Sequence, residues 1–230
     1  MVLVKLWLDK NSITKNKPKL LNKLTYTMRI RRIAITGHLS GIGKCLYDKF
    51  SPYYEVIGLD KNEGNGIEDT QRVVDKCLSF DVLINNAYLF NKQHALLYQF
   101  CKYSKDHPKL AISIGSIVTE LEMFDYKLAN ENYYIEKMRL KKITQEVNGS
   151  GGKCKASLIS PGFVDTNIDM LFEQPTVVEK TAMMWEICKE QNTILSPNAV
   201  FDAVKFIIDS YEKGNLVTHV VINNWFMRVI

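Results

Sequence analysis

The sequence predicts an α/β fold, a doubly wound parallel sheet of Rossmann-like form in a single domain, and three observations carry that expectation. Short apolar β-rich runs alternate with longer stretches of helical periodicity from residue 28 to residue 230. The first run ends in a glycine turn, Thr36-Gly37-His38-Leu39-Ser40-Gly41-Ile42-Gly43, that opens a helix. The second ends in an acid, Asp60.

Ile30 to Thr36 reads as the first strand, and Leu46, Tyr47 and Phe50 mark the apolar face of the helix after the turn. Tyr54 to Asp60 is a second strand, followed by a polar stretch with Gly64 and Gly66 around Ile67. Gln71 to Ser79 predicts a helix, Asp81 to Ala87 a third strand and Lys92 to Ser104 a helix. Leu110 to Ser116 is a strand apolar enough to be covered on both faces, as parallel sheets require. Tyr133 to Val147 predicts a helix, Lys155 to Ser160 a strand, Val177 to Glu190 and Pro197 to Lys213 helices, and Leu216 to Asn223 the last strand. Residues 1 to 27 mix Lys with Leu, Asn and Thr around Pro18, and the expectation is a disordered basic extension. A tether to an anionic surface through Trp7 and the lysines, or a start at Met28, are the alternatives.

Composition narrows the function classes. With 46% hydrophobic and 24% charged residues over 230 positions, the chain is ordinary globular material. No apolar run approaches the roughly 18 residues that cross a bilayer, so no membrane span is expected. Residues 1 to 27 hold six Lys and one Asp, which leaves 24 basic and 24 acidic residues in the body. A formally neutral body offers no footprint for a phosphate backbone, so nucleic acid is not an expected partner. The five cysteines lack any C-x-x-C pair and fit neither a disulfide framework nor a zinc site, which points to a reducing, cytoplasmic compartment. The four histidines fall on a turn, a helix, a loop and a strand, so no metal site is expected.

In a parallel sheet the ligand lies beyond the carboxyl ends of the strands, and the loops there hold the candidate chemistry. Gly37, Gly41 and Gly43 allow a tight turn, and with Ser40 and Ile42 they aim the free N–H groups of a helix start at a pyrophosphate. His38 in the same turn is a candidate to touch those phosphates. Asp60 is placed to accept the hydroxyls of an adenine ribose, and its charge repels a 2′-phosphate. That favours NAD over NADP, with Lys61 offsetting part of the repulsion. The bland readings are a plain turn and a plain strand end. Tyr133 and Lys137, spaced i, i+4, share a helix face on which an ammonium lowers the phenol pKa and lets it exchange a proton near neutral pH. Tyr98 and Lys102 repeat that spacing ahead of the strand ending at Ser116, and are read as a solvated helix face.

In this order the motifs resemble the short-chain dehydrogenase/reductase family, over residues 31 to about 223. The glycine turn looks like its T-G-x-x-x-G-x-G element and Asn85-Asn86-Ala87-Tyr88 its N-N-A-G element. Ser116 matches its catalytic serine, Tyr133 with Lys137 its Y-x-x-x-K pair, and Pro161-Gly162-Phe163-Val164-Asp165-Thr166 its P-G-x-V-x-T element. The resemblance implies a nicotinamide cofactor, NAD or else NADP, and hydride transfer to or from an alcohol or carbonyl substrate. It implies that Tyr133 exchanges the proton, Ser116 steadies the oxygen and Lys137 holds the nicotinamide ribose. Asn86 would brace the sheet, Ala87 and Ile67 would lie along the adenosine, and Pro161, Gly162, Val164 and Thr166 would border the nicotinamide. A homo-oligomer through the Leu96 to Tyr103 and Tyr133 to Leu140 helices follows from the same resemblance.

The pattern departs in places. The stretch from Asn86 to Ser116 is short and lacks a clear catalytic asparagine, with Asn91 the nearest candidate and Gln93 or a water the alternatives. Bulky Tyr134, Ile135 and Glu136 follow Tyr133 where small residues are usual, and Asn223-Asn224-Trp225-Phe226 replaces the family's terminal glycine pair. Segment 168–191, with Met170, Leu171, Phe172, Met183, Met184 and Trp185, is expected to cover the substrate or simply to pack. Two other readings stay open: a nucleotide-binding sensor or interaction module with little or no turnover, and a sugar-nucleotide epimerase or dehydratase.

Overall fold

The central β-rich runs pair in register because each is apolar on both sides and must be covered on both faces. The computed structural model describes residues 3–7, 29–120, 131–166 and 179–223. Six strands run parallel: β2 (Arg32–Thr36), β3 (Glu55–Leu59), β4 (Val82–Asn85), β5 (Leu110–Ile114), β6 (Lys155–Pro161) and β7 (His219–Asn223). Their order is β3-β2-β4-β5-β6-β7, so the chain winds outward from β2 to β3 and then crosses back to β4. That reversal opens a crevice between the carboxyl ends of β2 and β4.

Alternation along the strands divides the core in two. Ile33, Ile35, Ile84 and Ile112 pack with Leu46 and Phe50 of α1 (Gly41–Phe50) and with Val200, Val204 and Ile207 of the last helix, Pro197–Glu212. Ala34, Leu83, Ala111 and Leu158 face the other way. They meet α2 (Thr70–Cys77), α3 (Gln93–Tyr103) and α4 (Glu131–Gly149) through Val73, Leu96, Phe100 and Leu140. The helix Glu179–Glu190 is α5, which makes Pro197–Glu212 α6. The α/β doubly wound fold therefore stands as the sequence predicts it.

The first 27 residues differ from expectation in one respect. Leu3–Trp7 forms β1, antiparallel to β7, where the sequence suggests no element; residues 8–28 lie outside the described ones. β7 would otherwise be a sheet edge with unpaired backbone groups, and the added strand satisfies them. Among the described residues no helix is long and apolar enough to cross a membrane.

Candidate active site

The glycine turn is backbone packed on backbone. Gly37 and Gly41 take left-handed φ values of 70° and 52°, which glycine adopts without strain. A Cβ on Gly43 would overlap the Gly37 carbonyl oxygen, so the turn closes only without one. Asn86 braces it: its Nδ2 donates to Thr36 O at 3.1 Å and Gly37 O at 3.4 Å, while the N–H groups of Asn86 and Ala87 donate to Thr36 Oγ1 at 3.0 Å each. From the far side comes Thr166, whose side chain would lie 3.2 Å from a Cβ on Gly41. The P-G element thus reaches the glycine turn across about 125 residues of sequence.

At the start of α1, Ser40 makes no side-chain cap and the first turn holds no acid, so the free N–H groups and positive dipole end stay open to an anion. His38 supplies a second polar feature nearby. Its ring packs over Gly58 of β3, lies 5.0 Å from the Tyr47 ring, and leaves a buried Nδ1 without a partner. Nε2 stands 3.7 Å from Glu63 Oε2, so the histidine sits on the Asp60 side of the crevice. Asp60 Oδ1 accepts from Asn62 N at 3.0 Å and caps the short turn Lys61–Glu63. These features fit a dinucleotide: a phosphate cradle that side chains would fill, an uncapped helix start and an orphaned buried ring nitrogen. Ile67, expected along the adenine, is only 3% exposed and packs with Leu59 and Val73, which makes it a core residue in this structure.

A second group converges at the carboxyl end of β5. Ser116 follows that strand and lies close enough to the Tyr133 hydroxyl to act on its pKa, so β5 and α4 bring together the pair the sequence singles out. Burial raises the Tyr133 pKa, and Ser116 only partly counters it. The expected lowering of that pKa by Lys137 is not present. The Lys137 ammonium sits 5.2 Å from the Tyr133 ring centroid and donates elsewhere, to Gln93 Oε1 at 2.8 Å and Ile114 O at 2.9 Å. Its own pKa is lowered to about 7 by burial, with Glu136 working in the opposite direction.

Gln93, not Asn91, therefore meets Lys137. Asn91 has a left-handed φ of 63°, and its side chain contacts Arg139, away from the lysine. Gln93 is fixed in orientation because its Nε2 donates to Asn85 O at 3.1 Å and Ile114 O at 3.2 Å, which turns Oε1 toward Lys137. Asn85 returns a bond from Nδ2 to Gln93 O at 2.9 Å. Two more residues escape the sequence reading. Tyr88, where the resembled motif has glycine, packs at a tilt with its ring centroid 5.0 Å from that of Tyr133 and 5.4 Å from the Lys137 ammonium. Glu136, noted only for its bulk, is fully buried and hydrogen-bonded to the start of α3. The sequence holds no clear signal for this cluster, because Gln93 stands in the polar run Asn91-Lys92-Gln93-His94 and only the fold buries it beside Asn85.

Pro161 ends β6, Gly162 N donates to Ile222 O at 2.9 Å, and buried Val164 bridges to Leu195. In α5, Trp185 is 4% exposed and packs edge-on at 5.6 Å from Phe163, while Met183 is exposed. Met170, Leu171 and Phe172 lie outside the described residues. Tyr98 and Lys102 lie on the outer face of α3 with the ammonium 6.0 Å from the ring centroid, as a solvated face would.

Ser160, His219 and Glu120 look like a nucleophile relay but are not one. Ser160 Oγ and Glu120 Oε1 both meet the same ring nitrogen, His219 Nε2, at 2.9 and 3.3 Å, whereas a relay needs opposite nitrogens. Burial pushes the Glu120 pKa up, but hydrogen bonds from Lys141 and Thr119 with the His219 charge outweigh it and leave it lowered. The cluster is an ion-paired support beneath the turn after Ser116.

No protein-family model and no curated protein matches the chain. Solved structures do. A 3-alpha-hydroxysteroid dehydrogenase from Pseudomonas sp. B-0831, complexed with NADH, is 19% identical with a TM-score of 0.62, over 83% of this chain and 94% of that one. A 4-hydroxyisoleucine dehydrogenase complexed with NADH is 19% identical with a TM-score of 0.63, over 86% and 98%. An oxidoreductase of the short-chain dehydrogenase/reductase family from Burkholderia thailandensis is 16% identical with a TM-score of 0.64, over 86% and 92%. The chain therefore has the fold of the short-chain dehydrogenases and reductases, the family whose motif order its sequence resembles.

Proposed function

We propose that the chain is an NAD(P)-dependent oxidoreductase of short-chain dehydrogenase type, acting on the CH–OH or carbonyl group of a small molecule. The observation that carries this reading is that Ser116 and Tyr133 come together beside buried Lys137, at the carboxyl end of the same parallel sheet that carries an uncapped glycine turn. Bound NAD(P) supplies the hydride acceptor or donor. Gly37, Ser40, Gly41, Ile42 and Gly43 hold its pyrophosphate through backbone N–H groups, and Asp60 takes the adenine ribose, which favours NAD. Thr166 and Val164 border the nicotinamide end.

Tyr133 carries its proton at neutral pH, because burial raises its pKa. It donates that proton to a carbonyl oxygen as hydride reaches the carbon, or takes it back in the reverse direction. Ser116 hydrogen-bonds the same oxygen and steadies the charge that develops there. When protonated, Lys137 has three donors, of which Gln93 Oε1 and Ile114 O take two, leaving one for a ribose hydroxyl. Tyr88 forms an aromatic wall beside Tyr133.

Titration of the purified chain with NADH and NADPH, followed by energy transfer from Trp to nicotinamide, tests the first half of the proposal. NADH binding stronger than NADPH binding, then turnover of an alcohol panel with NAD, supports it. Binding of neither cofactor overturns it in favour of an interaction module.

A further inference from the structure

The first turn of α3 does not cap itself. Lys92 at its start makes no side-chain cap and the turn holds no acid, so its free N–H groups need a partner. That partner comes from another helix. Glu136 of α4 accepts from Asn91 N at 2.9 Å with Oε2 and from His94 N at 2.7 Å with Oε1, and both oxygens lie 2.9 Å from His94 Nδ1. The carboxylate is fully buried, so these groups stand in for the water it has lost.

Gln93 lies between the two residues so gripped, and it is the acceptor for Lys137, the neighbour of Glu136 on α4. Two consecutive residues of one helix thus hold the same turn of another, the carboxylate by its backbone and the ammonium by its side chain. We propose that Glu136 is a positioning residue for the oxidoreductase reaction, acting through the first turn of α3 and Gln93 to place the Lys137 ammonium. This rests on the function proposed above. A short α3 can present an acceptor to Lys137 only if its start is fastened, and Glu136 supplies the fastening from across the helix pair. The charged and titratable groups that face Lys137 are Glu136 and Tyr133 on its own helix and Tyr88 from the loop after β4, with Ser116 reached through Tyr133. His94, part-exposed, touches Glu136 rather than the lysine.

The test is a double-mutant cycle of Glu136→Gln and Gln93→Met. Two readouts need no turnover: hydrogen exchange in residues 89–97, and the pH midpoint for acetylation of Lys137 by acetic anhydride. The third is kcat against KM with NAD and the best alcohol. Glu136→Gln is expected to speed exchange at Asn91 and His94 by roughly tenfold or more, to lower the Lys137 midpoint, and to cut kcat about tenfold with KM nearly unchanged. In the Gln93→Met background the same substitution should add little to the loss in midpoint and kcat. Additive effects overturn the proposal, because a purely electrostatic or structural Glu136 acts whether or not Gln93 is present. An unchanged midpoint in Glu136→Gln overturns it as well. If Glu136→Gln does not fold, His94→Asn takes its place in the cycle with a smaller expected effect, and additivity or an unchanged midpoint again overturns the proposal. A chain that binds no NADH fails the proposed function, and exchange and acetylation still decide the positioning role.

Discussion

Around the carboxyl ends of β2 and β4 the site is made of backbone, whereas around β5, α3 and α4 it is made of buried polar side chains. The first half depends on side chains that are missing: two left-handed glycines and a third with no room for a Cβ. Its brace is Asn86, bonded to main-chain carbonyls. The second half depends on groups that are costly to bury, namely Lys137, Glu136, Gln93 and Asn85, each bonded to partners from a different element, with Asn85 Oδ1 left without one among the described residues. On the proposed function, the first half is a phosphate cradle shaped by backbone and the second a proton-handling centre built from polar groups in a dry place. The two halves should therefore break in different ways.

The sharpest separation is expected from Tyr133→Phe. It should cut turnover by roughly 10²- to 10⁴-fold and leave the NADH dissociation constant within a few-fold, read by steady-state kinetics and fluorescence titration. Equal loss of both would place Tyr133 in the binding half. Gly43→Ala is the converse experiment: its methyl meets the Gly37 carbonyl, so NADH affinity should fall roughly a hundredfold, about 3 kcal/mol, while Lys137 acetylation keeps its pH midpoint.

The charge buried in the second half predicts a pH dependence. Lys137 has a pKa of about 7 in the fold against 10.5 for the free side chain, so between those pH values the unfolded chain binds the proton and the folded chain does not. Stability from this group is lowest below about pH 7 and rises toward pH 10. Denaturant titrations of wild type and Lys137→Met should converge or cross in that direction, wild type gaining on the order of a few kcal/mol relative to the variant between pH 6 and 10. A pH-independent difference would contradict it. The smallest effect belongs to the first half again. Asp60→Asn keeps an acceptor for the Asn62 N–H but removes the charge, and should shift the NADH-to-NADPH affinity ratio by roughly tenfold toward NADPH. No shift would mean that His38 and Glu63 set the discrimination.

The backbone half was legible in the sequence because its parts are local. Glycine turn and helix start are consecutive residues, and a glycine without a Cβ has few other reasons to recur at 37, 41 and 43. The same locality explains why α/β alternation carried the fold class, since burial on both faces writes itself into each strand separately. Asn91 is the nearest candidate for the catalytic asparagine by residue type, yet its backbone is left-handed and its side chain meets Arg139. In the sequence Glu136 shows only its bulk, because its partners are backbone N–H groups about 42 to 45 residues away, and no sequence displays those. Leu3–Trp7 carries no strand signal of its own, because an edge strand five residues long is made by the strand it joins.

By itself the sequence determined the alternation of strands and helices, the glycine turn, and the order of Ser116, Tyr133 and Lys137 along the chain. Tertiary structure alone decided that Gln93 receives the lysine, that Glu136 caps a helix not its own, and that Tyr88 covers Tyr133. The physical reason is the range of the interactions. Backbone conformation and strand burial are set by a residue and its neighbours, whereas satisfying a buried charge depends on which distant groups the packing of α3 against α4 brings within about 3 Å.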